Sequence, residues 1–78
     1  MTRYFFDIRD GDEFIVDQEG MELPHVEAAQ IEAAHSLAGM VRDKINSQPF
    51  SLMAIQVRDG EGAVVEAKFV WELLHRRH

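Results

Sequence analysis

The chain has 78 residues, 46% of them hydrophobic, no cysteine, and a formal net charge of −6. That length is one domain, residues 1–78, and the apolar content excludes a disordered chain. The missing cysteines exclude a disulfide framework, a thiolate zinc site and a cysteine nucleophile, and the negative balance opposes binding to free phosphate backbones. A domain this small buries roughly 60–65% of the surface its unfolded chain exposes, so a second subunit would add welcome stability. No apolar run is long enough to cross a bilayer. Met1-Thr2-Arg3-Tyr4 leads into a strand-like pattern without the apolar stretch of a secretory signal. The expected compartment is the cytoplasm, with no membrane partner.

Residues 3–9, RYFFDIR, alternate in the manner of a strand, with Tyr4, Phe6 and Ile8 on one face and Arg3, Phe5, Asp7 and Arg9 on the other. Asp10-Gly11-Asp12 supplies a tight turn. Residues 13–17, EFIVD, form the return strand. A three-residue loop sets Phe14 opposite Ile8 and Val16 opposite Phe6, leaving Ile15 with Phe5 on the other face. A two-residue loop would exchange those faces; the three-residue register is the expectation taken forward. Asp17-Gln18-Glu19-Gly20 then turns the chain before Met21-Glu22-Leu23.

Pro24 suits the first helical position. From His25 or Val26 to about Asn46 the pattern is helical. Val26, Ala29, Ala33, Leu37, Met40, Val41 and Ile45 form an apolar stripe, and the alanines permit close approach to a sheet. Asn46-Ser47-Gln48-Pro49 stops the helix. Residues 52–58, LMAIQVR, are the next strand, and Asp59-Gly60-Glu61-Gly62 is a hairpin loop. The register that follows pairs Val57 with Val65, Ile55 with Ala67 and Met53 with Phe69. Val70, Leu73 and Leu74 fall at helical spacing and predict a short C-terminal helix, followed by a polar HRRH end. The expected fold is therefore α+β: a two-layer ββαββ domain with a four-stranded, mainly antiparallel sheet, one long helix on one face and a short C-terminal helix.

Arg3-Tyr4-Phe5-Phe6, the Asp10-Gly11 turn, Asp17-Gln18-Glu19-Gly20, Glu22-Leu23-Pro24 and Glu27-Ala28-Ala29 together resemble a family of small bacterial proteins of unknown function. Its members open on an RYFF-type strand and carry an acidic-x-Glu-Gly turn before an Ala-rich helix. Val57-Arg58-Asp59, Glu61-Gly62 and Phe69 are similar to the family's closing hairpin. The resemblance spans nearly the whole chain and implies no activity, cofactor or catalytic residue. Two positions depart from it: His25 stands where an acidic residue would cap the helix better, and Lys68 precedes Phe69 where the family carries proline.

Few residues point to chemistry. Asp7, Asp10, Asp12 and Glu13 are acidic neighbours, but their spacing is not that of a calcium loop, and turn formation accounts for Asp10 and Asp12. His25 and His35 would lie about 15 Å apart along a helix, too far to share an ion. His75 and His78 stand three apart in a solvated end whose Arg76 and Arg77 also suit a helix C-terminus. His35 and Ser36 diverge by about 100° on a helix, and there is no nucleophile elbow or phosphate-binding glycine loop. No metal, cofactor or catalytic residue is assigned, and an enzyme is the less favoured reading.

The feature left over is Phe5, an aromatic on the sheet face away from the helix, where alternation should leave polar residues. Either the C-terminal segment covers it, through Trp71 or Leu74, or it is part of an apolar surface that meets a partner. The candidate interaction surface is Phe5, Ile15, Arg3, Arg9, Arg58 and Trp71. The expected function is a small interaction or regulatory module that self-associates, as a homodimer or with a protein partner, through the sheet face or a sheet edge. A nucleic-acid accessory protein, suggested by Arg3, Arg9 and Arg58 beside Phe5, and a small-ligand binder or enzyme are the alternatives.

Overall fold

In the computed structural model, which describes residues 1–44 and 50–76, the elements run β1 (Thr2–Asp10), β2 (Glu13–Ile15), β3 (Met21–Leu23), α1 (Val26–Lys44), β4 (Phe50–Asp59) and β5 (Gly62–Glu72). The strands form one five-stranded sheet in the order β2-β1-β4-β5, with β3 also pairing β1, and every pairing is antiparallel. The α+β class and the single long helix are as expected, but the sheet has five strands instead of four. The additional strand is Met21–Leu23, which lies along the start of β1 through Thr2↔Leu23, Arg3↔Glu22 and Tyr4↔Met21. Thus β2 and β3 act as one return strand for β1, interrupted at residues 16–20.

The second hairpin has the expected apolar pairs, Val57↔Val65, Ile55↔Ala67 and Met53↔Phe69. The turn itself holds two residues, since Asp59 pairs Gly62, and Val64 of β5 is bulged out opposite the step from Val57 to Arg58. The first hairpin takes the register set aside in the sequence: Ile8↔Ile15, Arg9↔Phe14 and Asp10↔Glu13. The position of the glycine explains this. A two-residue loop places Gly11 first, where a primed turn requires positive φ, and Gly11 has φ 63. The three-residue loop would ask for a left-handed residue later in the turn, and no described non-glycine residue has positive φ. Ile15 therefore joins Ile8 on the helix side, and Phe14 joins Arg9 on the other.

The expected C-terminal helix is absent as well. Val70, Trp71 and Glu72 continue β5, opposite Leu52, Ser51 and Phe50. A single helical turn would leave most of its backbone groups without partners, whereas the ladder satisfies them. Leu73 and Leu74 follow the strand and are exposed.

Helix α1 begins on His25, whose backbone carbonyl and Nδ1 both accept from the Ala28 amide, at 3.1 and 3.2 Å. His25 is thus the cap residue, with Pro24 outside the helix. The expected continuation through Ile45 and Asn46 to Pro49 lies outside the described residues. Ala29, Ala33 and Leu37 are buried against Met53, Ile55 and Val57 of β4, together with Tyr4 of β1. Met53, Ile55 and Val57 are fully enclosed, and each contributes about 1.5–3 kcal/mol by removal from water. The helix packs about evenly on β4 and β5. Phe6 and Ile8 of β1 border this core. No described helix is long and apolar enough to cross a membrane.

Candidate interaction surface

Asp7 is an acidic residue in the middle of a strand, yet only 4% of it is exposed. Both of its carboxylate oxygens are engaged. The Asp17 amide donates to Oδ1 at 2.9 Å, and Arg58 Nε donates to Oδ2 at 2.8 Å. Arg58 also donates from Nη2 to the Asp17 carbonyl at 2.8 Å, and its guanidinium lies over the Phe5 ring, 4.5 Å from the centroid. A buried carboxylate is tolerated on these terms because a cation and a second donor replace its water.

Asp17 organises the interruption between β2 and β3. Its side chain accepts the amides of Phe6 at 3.1 Å, Glu19 at 3.0 Å and Gly20 at 3.2 Å. The Phe6 amide first, then those of Gly20 and Glu19 with the Arg58 charge, holds the Asp17 carboxyl below its ordinary value against the opposing effect of burial. Arg3 closes the other side: Nη1 donates to the Glu19 carbonyl at 2.5 Å, and Nη2 lies 3.7 Å from Glu22. Gly20, at φ 71, sits so close that a Cβ there would meet Arg3 Cγ, Phe5 Cε2 and the Tyr4 carbonyl oxygen, each at 2.9 Å.

Phe5 is therefore covered by Arg58 and by the turn at Gly20. Trp71 cannot reach it, because Trp71 pairs Ser51 near one end of β4 while Phe5 pairs Arg58 near the other. Seven residues of strand separate those positions, or about 23 Å. Of the six residues singled out in the sequence, Arg3, Phe5 and Arg58 come together in this interlock. Arg9 lies apart from them, 5.9 Å from the Phe14 ring centroid. Ile15 is on the opposite face, and Trp71 is at the far end of β5. Sequence reasoning missed Asp7 and Asp17 as partners of Arg58. The available signal was an aspartate flanked by apolar residues mid-strand, which needs a cation.

Residues 3–69 match the domain of unknown function DUF6894. The chain belongs to this family. No curated protein and no solved structure matches it. Six of the residues that carried the resemblance in the sequence (Arg3, Phe5, Asp17, Glu19, Gly20 and Arg58) are here joined in one scaffold, so in this DUF6894 chain they secure an edge of the sheet.

The concavities carry little convergent chemistry. One of about 240 Å³ lies on the helix-free face between Arg9, Phe14, Leu52, Gln56, Glu66 and Lys68, with the paired Asp7 at its floor. Two others flank the helix. On the β1 side, about 550 Å³ is bordered by Phe6, Ile8, Ile15, Val16 and Met21, with Glu32 and Ser36 above. On the β5 side, about 570 Å³ is bordered by Ala34, Leu37, Ala38, Val41, Ala67 and Phe69. Among the described residues no group of three or more His, Asp or Glu side chains is placed to hold a metal ion. Asp10 faces Lys44 at 3.3 Å.

The sheet also has an open edge. Strand β5 runs 11 residues and pairs only with β4, so its outer edge has no strand partner among the described residues. Sequence reasoning placed the strand but not its position, because strand order is not encoded in hairpin registers alone.

Proposed function

We propose that this protein is a small interaction module that self-associates through the open edge of β5. The observation that carries this reading is the contrast between the two edges of the sheet. One edge is made of two three-residue strands, β2 and β3, broken by the Asp17 turn. Short, interrupted edges resist pairing with other chains. The other edge is the 11-residue β5, long enough to present a row of free amides and carbonyls to another strand. The apolar groove between β5 and the helix lies directly beside it. The nucleic-acid alternative is less favoured, since Arg3 and Arg58 donate to groups within the chain.

Sedimentation velocity over the micromolar to millimolar range tests the proposal, with amide exchange at matched concentrations. The expected result is a concentration-dependent dimer in which alternate β5 amides gain protection as it forms. A single monomer species over the whole range, with β5 exchange independent of concentration, would refute it.

A further inference from the structure

We infer that two copies join antiparallel about a two-fold axis at Ala67, making one continuous sheet with the two helices side by side on the same face. This rests on the reading of β5 as the self-association edge and adds its register. Strand β5 alternates cleanly from Val65 to Glu72, beyond the bulged Val64, with Val65, Ala67, Phe69 and Trp71 half-buried on the helix side and Glu66, Lys68 and Val70 exposed on the other. In an antiparallel pair related by a two-fold axis normal to the sheet, residues directly opposite share a face. The axis must therefore pass through a residue.

Each choice of that residue can be weighed. On Glu66 or on Lys68, the axis sets two like charges directly opposite, which is destabilising. On Val65 it sets Val64 against Glu66, and on Phe69 it sets Lys68 against Val70 while opposing the two copies of Glu66 and Glu72 in like-charged pairs. On Ala67 it sets Glu66 against Lys68 twice and Val65 against Phe69 twice. Opposite charges and aromatic–β-branched pairs are the favourable cross-strand combinations, each contributing about 0.2–1 kcal/mol. Residues 65–69, VEAKF, are thus self-complementary about their centre. A lysine in an edge strand ordinarily discourages pairing. In this register Lys68 instead meets Glu66 of the second copy, replacing the exposed 4.0 Å contact it has with Glu66 of its own strand.

The helix position agrees. Since α1 lies over β4 and β5 about evenly, strand spacing places each helix axis about 5 Å from the two-fold, hence about 10 Å from its mate. Packed helices lie about 8–10 Å apart. The side of α1 toward β5 carries the exposed small residues Ala34 and Ala38 beside Val41, which allow that approach.

Charge reversal tests the register. Glu66→Lys alone and Lys68→Glu alone each create two like-charged pairs at the axis, so each should raise the dimer dissociation constant at least tenfold. Mixing the two variants in equal amounts should restore a dimer, now a heterodimer, and the double reversal E66K/K68E should restore the homodimer. In a chain without cysteine, Ala67→Cys should cross-link to a disulfide dimer under mild oxidation, while Val64→Cys should not. Circular dichroism of each variant as monomer checks that it is folded. If the wild type dimerises but neither reversal weakens it and A67C fails to cross-link, the register is wrong and the edge reading survives. If the wild type stays monomeric at all concentrations, both fail.

Discussion

Replacing Gly20 by alanine tests whether the turn between β2 and β3 is a packed part of the sheet or a loop with room to spare. Two costs are expected. The first is conformational: φ is 71 at Gly20, and an L-residue in that region costs about 1–2 kcal/mol. The second is steric. The new Cβ would lie 2.9 Å from the Tyr4 carbonyl oxygen, Arg3 Cγ and Phe5 Cε2. The first is backbone of a central strand, and the Phe5 ring is held beneath Arg58, so neither withdraws freely. Overpacking of this kind costs about 1–3 kcal/mol. The total is about 2–5 kcal/mol, against a whole-domain stability of about 4–12 kcal/mol for this length. Gly11 is the internal control, with φ 63 and nothing within 4 Å of an added Cβ; Gly11→Ala should show the conformational cost alone, about 1–2 kcal/mol. Thermal melts should fall by about 4–8 °C per kcal/mol in a domain of this size, and urea titration gives the free energies at matched slopes. If G20A loses no more stability than G11A, the close contacts are not rigid and the interlock is wrongly described.

Three further outcomes follow from the same geometry. Asp7→Asn keeps an acceptor for the Asp17 amide but sets an amide donor against Arg58 Nε, so it should cost about 1–3 kcal/mol by urea titration; a change under about 0.5 kcal/mol would show the ion pair is idle. The Asp17 carboxyl, held below its ordinary value chiefly by the Phe6 amide, contributes stability that is complete above the unfolded-state value near 3.8. That contribution is lost as pH falls through the depressed folded value. Asp17→Asn should therefore flatten the acid limb of the stability curve below about pH 4 while lowering stability at neutral pH; parallel acid limbs would refute this. Gly39 lies mid-helix with nothing within 4 Å of an added Cβ, so Gly39→Ala should raise stability by about 1 kcal/mol, and a lower melting temperature would show that the position needs glycine.

The second hairpin was legible because its signals agree. Val57, Ile55 and Met53 share a face with Val65, Ala67 and Phe69 and oppose them one to one. In the first hairpin the apolar run Phe14-Ile15-Val16 offers a similar residue to either face, so periodicity could not choose. The choice fell to Gly11, a matter of turn geometry, and with it went the placement of Ile15. The C-terminal residues misled for a related reason. Val70, Leu73 and Leu74 fit a helical spacing, but Val70 and Trp71 also suit a strand, and the ladder with β4 decides between them. The interlock was the least legible feature. Asp7, Asp17 and Arg58 lie far apart in sequence, and only the sheet order brings β4 alongside β1 so that Arg58 can reach both aspartates.

The two edges also determine how far assembly can go. A chain with two competent edges would add copies without end, whereas one with a single competent edge closes as a two-fold dimer. Here the interruption at residues 16–20 closes one edge. Asp17 accepts the Phe6 amide at 3.1 Å, so a backbone donor of β1 that would otherwise continue the ladder is already used. The neighbouring strands on that side are three residues each, too short to template another chain. Asp17→Ala removes the acceptor of Phe6, Glu19 and Gly20 together and should free this edge. The expected result is assembly beyond the dimer, seen as a broad fast-sedimenting fraction that grows with concentration. It should be suppressed by adding Glu66→Lys to the same chain, because growth then lacks its second edge. If D17A is less stable but never exceeds a dimer, the turn stabilises the fold without guarding the edge, and termination of assembly must come from the helix side.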